Sequence, residues 1–488
     1  MAKFTYLIFV FLLILQACNR SNESDLPNVL FISIDDLRNE LGAYGKSHIV
    51  SPNLDKLASE GCLFTNHFVN IPTCGASRYT LLTGRLPLTT GEIGNEAIRN
   101  NLSSAEETEL PETFIHHLKR SGYYTVGIGK ISHYPDGLLY AYNDSVGSCR
   151  ELPYSWDELI FDSGKWGTGW NAFFAYADGS NRQSMKKQVK PYERTDAGDN
   201  AYPDGLSAEL AIAKLKQLAL SDKPFFMGLG FFKPHLPFNA PAKYWDMYNT
   251  DSIPLSEVPF IPANVNRASL HGSNEFNQYL LGEEKASLDS ALSEEYSLRL
   301  RQGYFACISY IDALVGKVIA ELKNLDLYDN TIIVIWGDHG WHLGDHLMWG
   351  KHSIFEESLK STLIIKAPGK DNVVINDVVS TLDIYPTIVD LCGLEQVPGT
   401  RGRALGLLID KPGSGIETPA FSYFRRGISM RTSRYRLSKY YREAAPQLEL
   451  YDHWTDPFET TNIEALNIEL RDSLLLILEE KGNTGLYR

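Results

Sequence analysis

Two aspartates stand side by side at positions 35 and 36, directly after the apolar run Asn28-Val29-Leu30-Phe31-Ile32-Ser33-Ile34. Adjacent carboxylates at a strand end repel each other and are costly to hold unless a cation neutralises them, which makes the pair a candidate metal site. Taken alone, the pair reads more simply as a helix N-cap with a solvated neighbour. Cys74-Gly75-Ala76-Ser77-Arg78 sets a thiol one helical turn before a guanidinium, so that both face the same group. The planar fork of an arginine suits the oxygens of an oxyanion. Gly129-Lys130-Ile131-Ser132-His133 and Lys233-Pro234-His235-Leu236-Pro237-Phe238 each follow a further apolar run. The two prolines fix the path of the second loop and so hold His235, a side chain able to move a proton near neutral pH. The densest stretch is Trp336-Gly337-Asp338-His339-Gly340-Trp341-His342-Leu343-Gly344-Asp345-His346, followed by Trp349-Gly350-Lys351-His352. His342, His346 and His352 read as packing or surface residues as readily as functional ones.

The elements that must position these residues follow from hydrophobic pattern. Continuous β-rich apolar runs at 28–34, 125–128, 225–232, 331–336 and 363–366 are strands buried on both faces. Helical patterns at 112–120, 205–220 and 304–325 alternate with them, which predicts an α/β fold with a mostly parallel central sheet. The polar clusters fall where these strands end, the place where open α/β sheets form their sites. Residues 133–203, rich in Gly, Tyr, Trp and Asp without a period, read as long loops able to shape a cleft. Past residue 394 a Pro/Gly-rich stretch (398–415) leads to strand-like segments such as 429–437. A final helix follows at 467–480 with Asn467 as its N-cap, giving a smaller α+β subdomain over 395–488.

The stretch from Cys74 to Ser77-Arg78, with Leu82-Thr83-Gly84-Arg85 behind it, resembles the signature of the type I sulfatases, members of the alkaline-phosphatase superfamily, although Ala76 stands where the commonest pattern has proline. The Asp338–Lys351 segment is similar to that of iduronate-2-sulfatases. The resemblance runs from residue 28 to about residue 461 and takes in Thr381-Leu382-Asp383-Ile384-Tyr385-Pro386-Thr387, where Asp383 reads as a helix cap. It implies an alkaline-phosphatase-like sandwich with a catalytic domain over 28–394. It implies that Cys74 is oxidised to formylglycine by a formylglycine-generating or anaerobic sulfatase-maturating enzyme. One hydroxyl of the hydrated aldehyde would attack sulfur, and the other would later expel sulfate. Carried over residue by residue, Asp35, Asp36, Asp338, His339 and the Cys74-derived oxygen hold Ca2+. His339 is the unusual ligand, because calcium seldom takes nitrogen. Arg78, Lys130 and Lys351 meet the sulfate, His133 the formylglycine hydroxyl, and His235 the ester oxygen. Trp341, His342, Trp349, His352 and Arg425 are candidate contacts to the rest of the substrate. That substrate is expected to be a sulfated poly- or oligosaccharide: a glycosaminoglycan, or an algal glycan such as ulvan or carrageenan.

The formal net charge of −14 over 488 residues argues against a nucleic-acid partner, though not against a locally basic site. Lys3 and the apolar residues 4–15 form a signal peptide (1–17). Leu15-Gln16-Ala17-Cys18 looks like a bacterial lipobox that would lipidate Cys18 at the head of a tether over 18–27. An ordinary signal peptide with an incidental cysteine is the alternative. Either one predicts export, the first to a membrane face with a lipid anchor. Cys62, Cys149, Cys307 and Cys392 show no zinc spacing and no pairing that sequence can fix; Cys307 and Cys392 sit in apolar helical patterns and read as core. Two rival functions remain: a phosphatase or phosphodiesterase of the same superfamily, which would carry Ser or Thr at position 74, and an inactive lipoprotein that binds sulfated glycans.

Overall fold

A computed structural model describes residues 26–102, 112–142, 147–414, 417–442 and 445–487; Cys18 and the signal segment lie outside them. The sequence builds an eight-stranded sheet from β1 (Asn28–Ile34), β2 (Cys62–Phe68), β3 (Tyr124–Gly129), β4 (Glu158–Ile160), β5 (Phe225–Phe231), β6 (Thr331–Gly337), β7 (Leu363–Lys366) and β8 (Val373–Ser380). Their order across the sheet is β8-β2-β7-β6-β1-β5-β3-β4. β1 sits at the centre between β5 and β6 and runs parallel to both. Only β7 runs against its neighbours.

Alternation along β1 splits the core in two. Leu30, Ile32 and Ile34 face one layer. That layer includes the helices α1 (Pro52–Glu60), α4 (Pro203–Leu218) and α5 (Glu294–Asn324). Val29 and Phe31 face the other layer. There lie α2 (Cys74–Thr83), α3 (Phe114–Arg120) and α6 (Ile384–Leu391). The result is a three-layer α/β/α sandwich, and β1 carries both of its faces at zero exposure from Val29 to Ile34.

A four-stranded antiparallel sheet, β9 (Ala420–Phe424), β10 (Gly427–Arg431), β11 (Tyr435–Tyr440) and β12 (Gln447–Asp452), is followed by α7 (Ile468–Ile477). Asn467 caps α7 by accepting from the Leu470 N–H. Buried ion pairs help dock this unit: Arg431 Nε lies 3.0 Å from Glu356 Oε2, and Arg436 pairs with both Glu356 and Glu459.

Several sequence-based expectations change here. Helix α5 begins ten residues earlier than the pattern suggests, because Ser293 caps it and Glu294 and Glu295 favour its first turn. No helix starts at Asp35–Asp36; Asp36 instead adopts a left-handed conformation (φ 62°) that turns the chain sharply out of β1. Asp383 stands at the N-cap position of α6, but its carboxylate makes no cap bond to that helix and instead closes a capping box on the turn before it, accepting from the Ser380 N–H at 2.8 Å, and accepts from the Arg403 N–H at 2.9 Å. Cys62, Cys74, Cys149, Cys307 and Cys392 are all free, with Cys307 and Cys392 buried. Among the described residues no helix is long and apolar enough to cross a membrane.

Candidate active site

Each chemical residue sits where a strand of the large sheet stops. Asp35 and Asp36 leave β1, Lys130 and His133 follow β3, Lys233–Pro237 follows β5, and Asp338–His339 follows β6. β3 and β5 end almost in contact: a Cβ on Gly230 would lie 2.1 Å from the Lys130 carbonyl oxygen, so only glycine lets the Lys130 loop cross there. Cys74 is the first residue of α2, and the helix is buried along its whole length. Arg78, one turn on, has its guanidinium fixed by Ser33 Oγ at 2.9 Å, the Lys130 carbonyl at 2.5 Å and Asp338 Oδ2 at 3.0 Å.

The floor of the site is dense with charge. Lys130 Nζ lies 2.5 Å from Asp35 Oδ2, and Lys351 Nζ lies 2.9 Å from Asp36 Oδ1. His339 Nδ1 is 3.3 Å from Asp36 Oδ1, and its Nε2 is 3.2 Å from Cys74 Sγ. Ligand atoms of Asp35, Asp36, Cys74 and His339 all lie within 4.8 Å of one another, a cluster able to hold a metal ion. Asp338 borders it, with Oδ1 accepting from the Asp36 N–H at 2.9 Å and Oδ2 turned to Arg78.

Burial at 1% exposure or less makes the three aspartates costly as charges. They respond differently. Burial pushes Asp36 well above the usual carboxylate range, with Asp35 adding repulsion against the pull of Lys351 and His339. Burial acts on Asp35 too, but Lys130 chiefly, with Arg78 among the others, outweighs it and holds Asp35 well below. Burial raises Asp338, and Asp35 adds to the effect. Two desolvated carboxylates in the cluster, with the third beside them, are a donor set that fits a hard, oxygen-seeking divalent cation.

Above the floor opens a cleft of about 420 Å³, within the range typical of small-ligand sites. Cys74, Lys130, His133, His235, Lys351, His352 and Arg425 all line it. Lys233 holds the His235 loop by donating from Nζ to the His235 and Pro237 carbonyls at 2.9 and 2.7 Å. Burial and then Lys351 push His235 down to about 4. Burial, then Lys130, lowers His133 well below its ordinary value, and its Nδ1 has no hydrogen-bond partner among the described residues.

Three of the proposed substrate contacts do not reach the cleft. Trp341 is fully buried and packs beneath Lys351, whose Nζ lies 5.1 Å from its ring centroid. His342 is also fully buried and meets Ser353 Oγ at 3.1 Å. Trp349 stacks on Phe276 at 5.8 Å, one layer below the wall. Trp341 and Trp349, beside and within the short two-stranded hairpin of His342–Leu343 with Trp349–Gly350, pack into the α5 side of the core, and His342 lies against His346 with ring centroids 5.7 Å apart.

Glu275 and Arg182 are among the cleft residues that escaped the sequence reading. Glu275 Oε1 lies 2.9 Å from His235 Nε2 and 3.4 Å from Lys351 Nζ. Arg182 lines the cleft from the long loop region. Neither stands in a motif or after a sheet strand, so no local signal marks it; only the fact that 133–203 reads as cleft-forming loops points toward Arg182.

A nucleophile position at a helix N-terminus, a metal-competent carboxylate cluster and flanking cations define a hydrolase that acts on an anionic ester. Residues 27–394 match the sulfatase family, and residues 344–474 match the C-terminal region of N-sulphoglucosamine sulphohydrolase. The chain belongs to the sulfatase family and is a sulfuric ester hydrolase. It is 30% identical to a sulfatase of Formosa agariphila over 93% of this chain and 85% of that protein. It is 29% identical to the iduronate 2-sulfatase of Mus musculus over 81% of this chain and 74% of that one. A protein solved in complex with its substrate D-glucosamine-2-N,6-O-disulfate has the same fold, with a TM-score of 0.71 at 20% identity over 94% of this chain and 98% of its own.

Proposed function

We propose that the chain removes sulfate from a carbohydrate, most simply from a uronic acid or its neighbour in an anionic polysaccharide, using a formylglycine made from Cys74. The observation that carries this reading is the position of Cys74. It lies at the N-terminus of α2, with the carboxylate cluster on one side and the open cleft on the other. The Cys74 Sγ stands where a hydroxyl oxygen of the hydrated aldehyde would be. Asp35, Asp36, His339 and the oxygen at position 74 would hold Ca2+, with Asp338 bordering them; the bound cation would lower the pKa of that hydroxyl.

The chain's own residues supply the rest. Lys130 and Lys351 each bridge a floor carboxylate and the cleft, so their ammonium groups can neutralise sulfate oxygens as the nucleophile approaches. Arg78 is locked beneath and orients Asp338. His235 faces the cleft with Nδ1 2.6 Å from the Leu236 carbonyl oxygen and Nε2 beside Glu275, placed to carry a proton to the departing sugar oxygen. His133, edge-on to Trp170 with ring centroids 5.5 Å apart, presents a ring nitrogen unpartnered among the described residues for the hydroxyl at position 74.

Aromatic walls from Tyr142, Trp170, Phe173 and Phe174, with Asn95, Gln183, Asn274 and Gln278 between them, suit sugar faces and hydroxyls. The mouse relative named iduronate 2-sulfatase supports the uronic-acid class. We also propose that a maturating enzyme modifies Cys74, and that the protein is exported and held at a membrane through lipid on Cys18. The test of function is comparative kinetics on sulfated uronic-acid oligosaccharides, carrageenan fragments and small aryl sulfates. A glycan should give the highest kcat/KM; an aryl sulfate far ahead of every glycan would overturn the carbohydrate reading.

A further inference from the structure

We infer that Arg182 is a specificity-determining residue that binds a second anionic group, a carboxylate or a sulfate, on the sugar that enters the cleft; the inference rests on the sulfatase reading above. Arg182 is only 5% exposed. Among the described residues no carboxylate pairs with it, and its Nε has no hydrogen-bond partner. A buried guanidinium ordinarily pays a large desolvation cost that an anion must offset. Here the compensation is partial. The guanidinium carbon lies 3.5 Å from the centroid of the Phe174 ring and 5.5 Å from that of Tyr279, and Arg182 is one of the residues that line the cleft.

The geometry is preorganised. Asn181 Oδ1 accepts from the Gln183 and Ser184 N–H groups at 3.0 and 2.9 Å, and the Arg182 N–H donates to the Phe174 carbonyl at 3.2 Å. The Lys187 N–H donates to the Arg182 carbonyl at 2.8 Å, and the Leu280 N–H beside Tyr279 donates to the Lys187 carbonyl at 2.9 Å. The arginine and both rings are thereby tied to one rigid loop pair. Charge supports the same conclusion. Lys130 and Lys351 are already beside floor carboxylates, whereas Arg182, Lys187 and Arg425 line the cleft beyond them, and Glu275 is the sole acid among its described lining residues. A locally cationic cleft on a chain of net charge −14 exceeds what one sulfate monoester needs. Arg182, with its planar fork, is the member suited to grip a carboxylate or sulfate through two parallel hydrogen bonds.

The experiment compares wild type with Arg182→Gln and Arg182→Lys on matched pairs. One pair is a 2-O-sulfated uronic-acid oligosaccharide and its carboxyl-reduced counterpart; the other is a disulfated and a monosulfated amino sugar. Circular dichroism and a melting curve verify that each variant is folded. Wild type should prefer the more anionic member of one pair by about 10- to 100-fold in kcat/KM, and Arg182→Gln should bring that ratio towards one, with Arg182→Lys between. Loss in the first pair assigns a carboxylate, and loss in the second a sulfate. Equal ratios in wild type and Arg182→Gln for both pairs overturn the inference while leaving the sulfatase reading intact. If wild type cleaved none of these esters, it is the functional reading that fails. Calorimetric titration with the unsulfated uronic-acid oligosaccharide and with the monosulfated amino sugar then decides on Arg182: binding of one weakened about 10-fold or more in Arg182→Gln supports it, and unchanged binding of both refutes it.

Discussion

Cys74 Sγ lies 3.2 Å from His339 Nε2, and the other nitrogen of the same imidazole lies 3.3 Å from Asp36 Oδ1. One ring therefore ties the nucleophile position to the carboxylate cluster. Burial, the largest influence, raises the encoded thiol to about 12, so as a cysteine it stays protonated and is a poor nucleophile there. Replacing it should be decisive. Cys74→Ala and Cys74→Ser should each lower steady-state turnover by about 10⁴-fold or more, since neither can provide a second hydroxyl to expel sulfate. Parity between the serine variant and the modified wild type would contradict the formylglycine chemistry.

The cluster of Asp35, Asp36, Cys74 and His339 predicts a metal requirement. Exhaustive chelation should abolish turnover, and calcium should restore it better than zinc, given the carboxylate-rich donor set. Asp36→Asn should weaken calcium binding in a direct titration. Full activity in protein shown by elemental analysis to be metal-free would sink the assignment.

His235 and Glu275 predict a dependence on the leaving group. A sugar alkoxide needs a proton as it departs, whereas an acidic phenol does not. His235→Ala should thus cost roughly 10²- to 10⁴-fold in kcat on a sugar sulfate but far less on a nitrophenyl sulfate. Glu275→Gln should fall between wild type and that variant, because the 2.9 Å contact to His235 Nε2 is weakened and not removed. Equal losses on both substrates would remove His235 from the acid role.

Buried histidines predict acid sensitivity of the fold. Burial lowers His67 to about 4, against the backbone hydrogen bond to Ser361 that favours the charged form. Burial likewise lowers His271 to about 4 and His352 to about 3, with nearby cations assisting. Between these values and the unfolded value near 6.5, the unfolded chain binds protons that the folded chain refuses, so stability falls as pH drops through that window. Each such group contributes a slope of up to ~1.4 kcal/mol per pH unit. Thermal melts from pH 7 to pH 5 should show the decline, and it should be shallower in His67→Gln. A melting temperature that stays flat over this range would show that the histidines do not govern it.

Much of the frame was legible because β1, β5 and β6 are apolar on both faces and their ends carry the polar clusters. β2 and β8 were missed for the opposite reason. Asn66 in β2 and Val374 and Asn376 in β8 leave those strands partly solvated, and their patterns carry no continuous apolar run. Within the site, Cys74, Arg78, Lys130, His235 and Asp338 could be named because each lies in a compact motif. Glu275 and Arg182 could not, since their places depend on long-range packing of loops. Trp341 and His342 show the converse: they sit inside the densest motif, yet the pleat of a two-residue strand and the turn before it decide which side chains face the cleft.

The most direct measurement is mass spectrometry of the peptide containing Cys74, taken from a preparation that is turning over a sulfate ester. The proposed function predicts one result: the thiol at position 74 replaced by the aldehyde of formylglycine, in a fraction of molecules that tracks specific activity. An unmodified cysteine throughout a fully active preparation would contradict it.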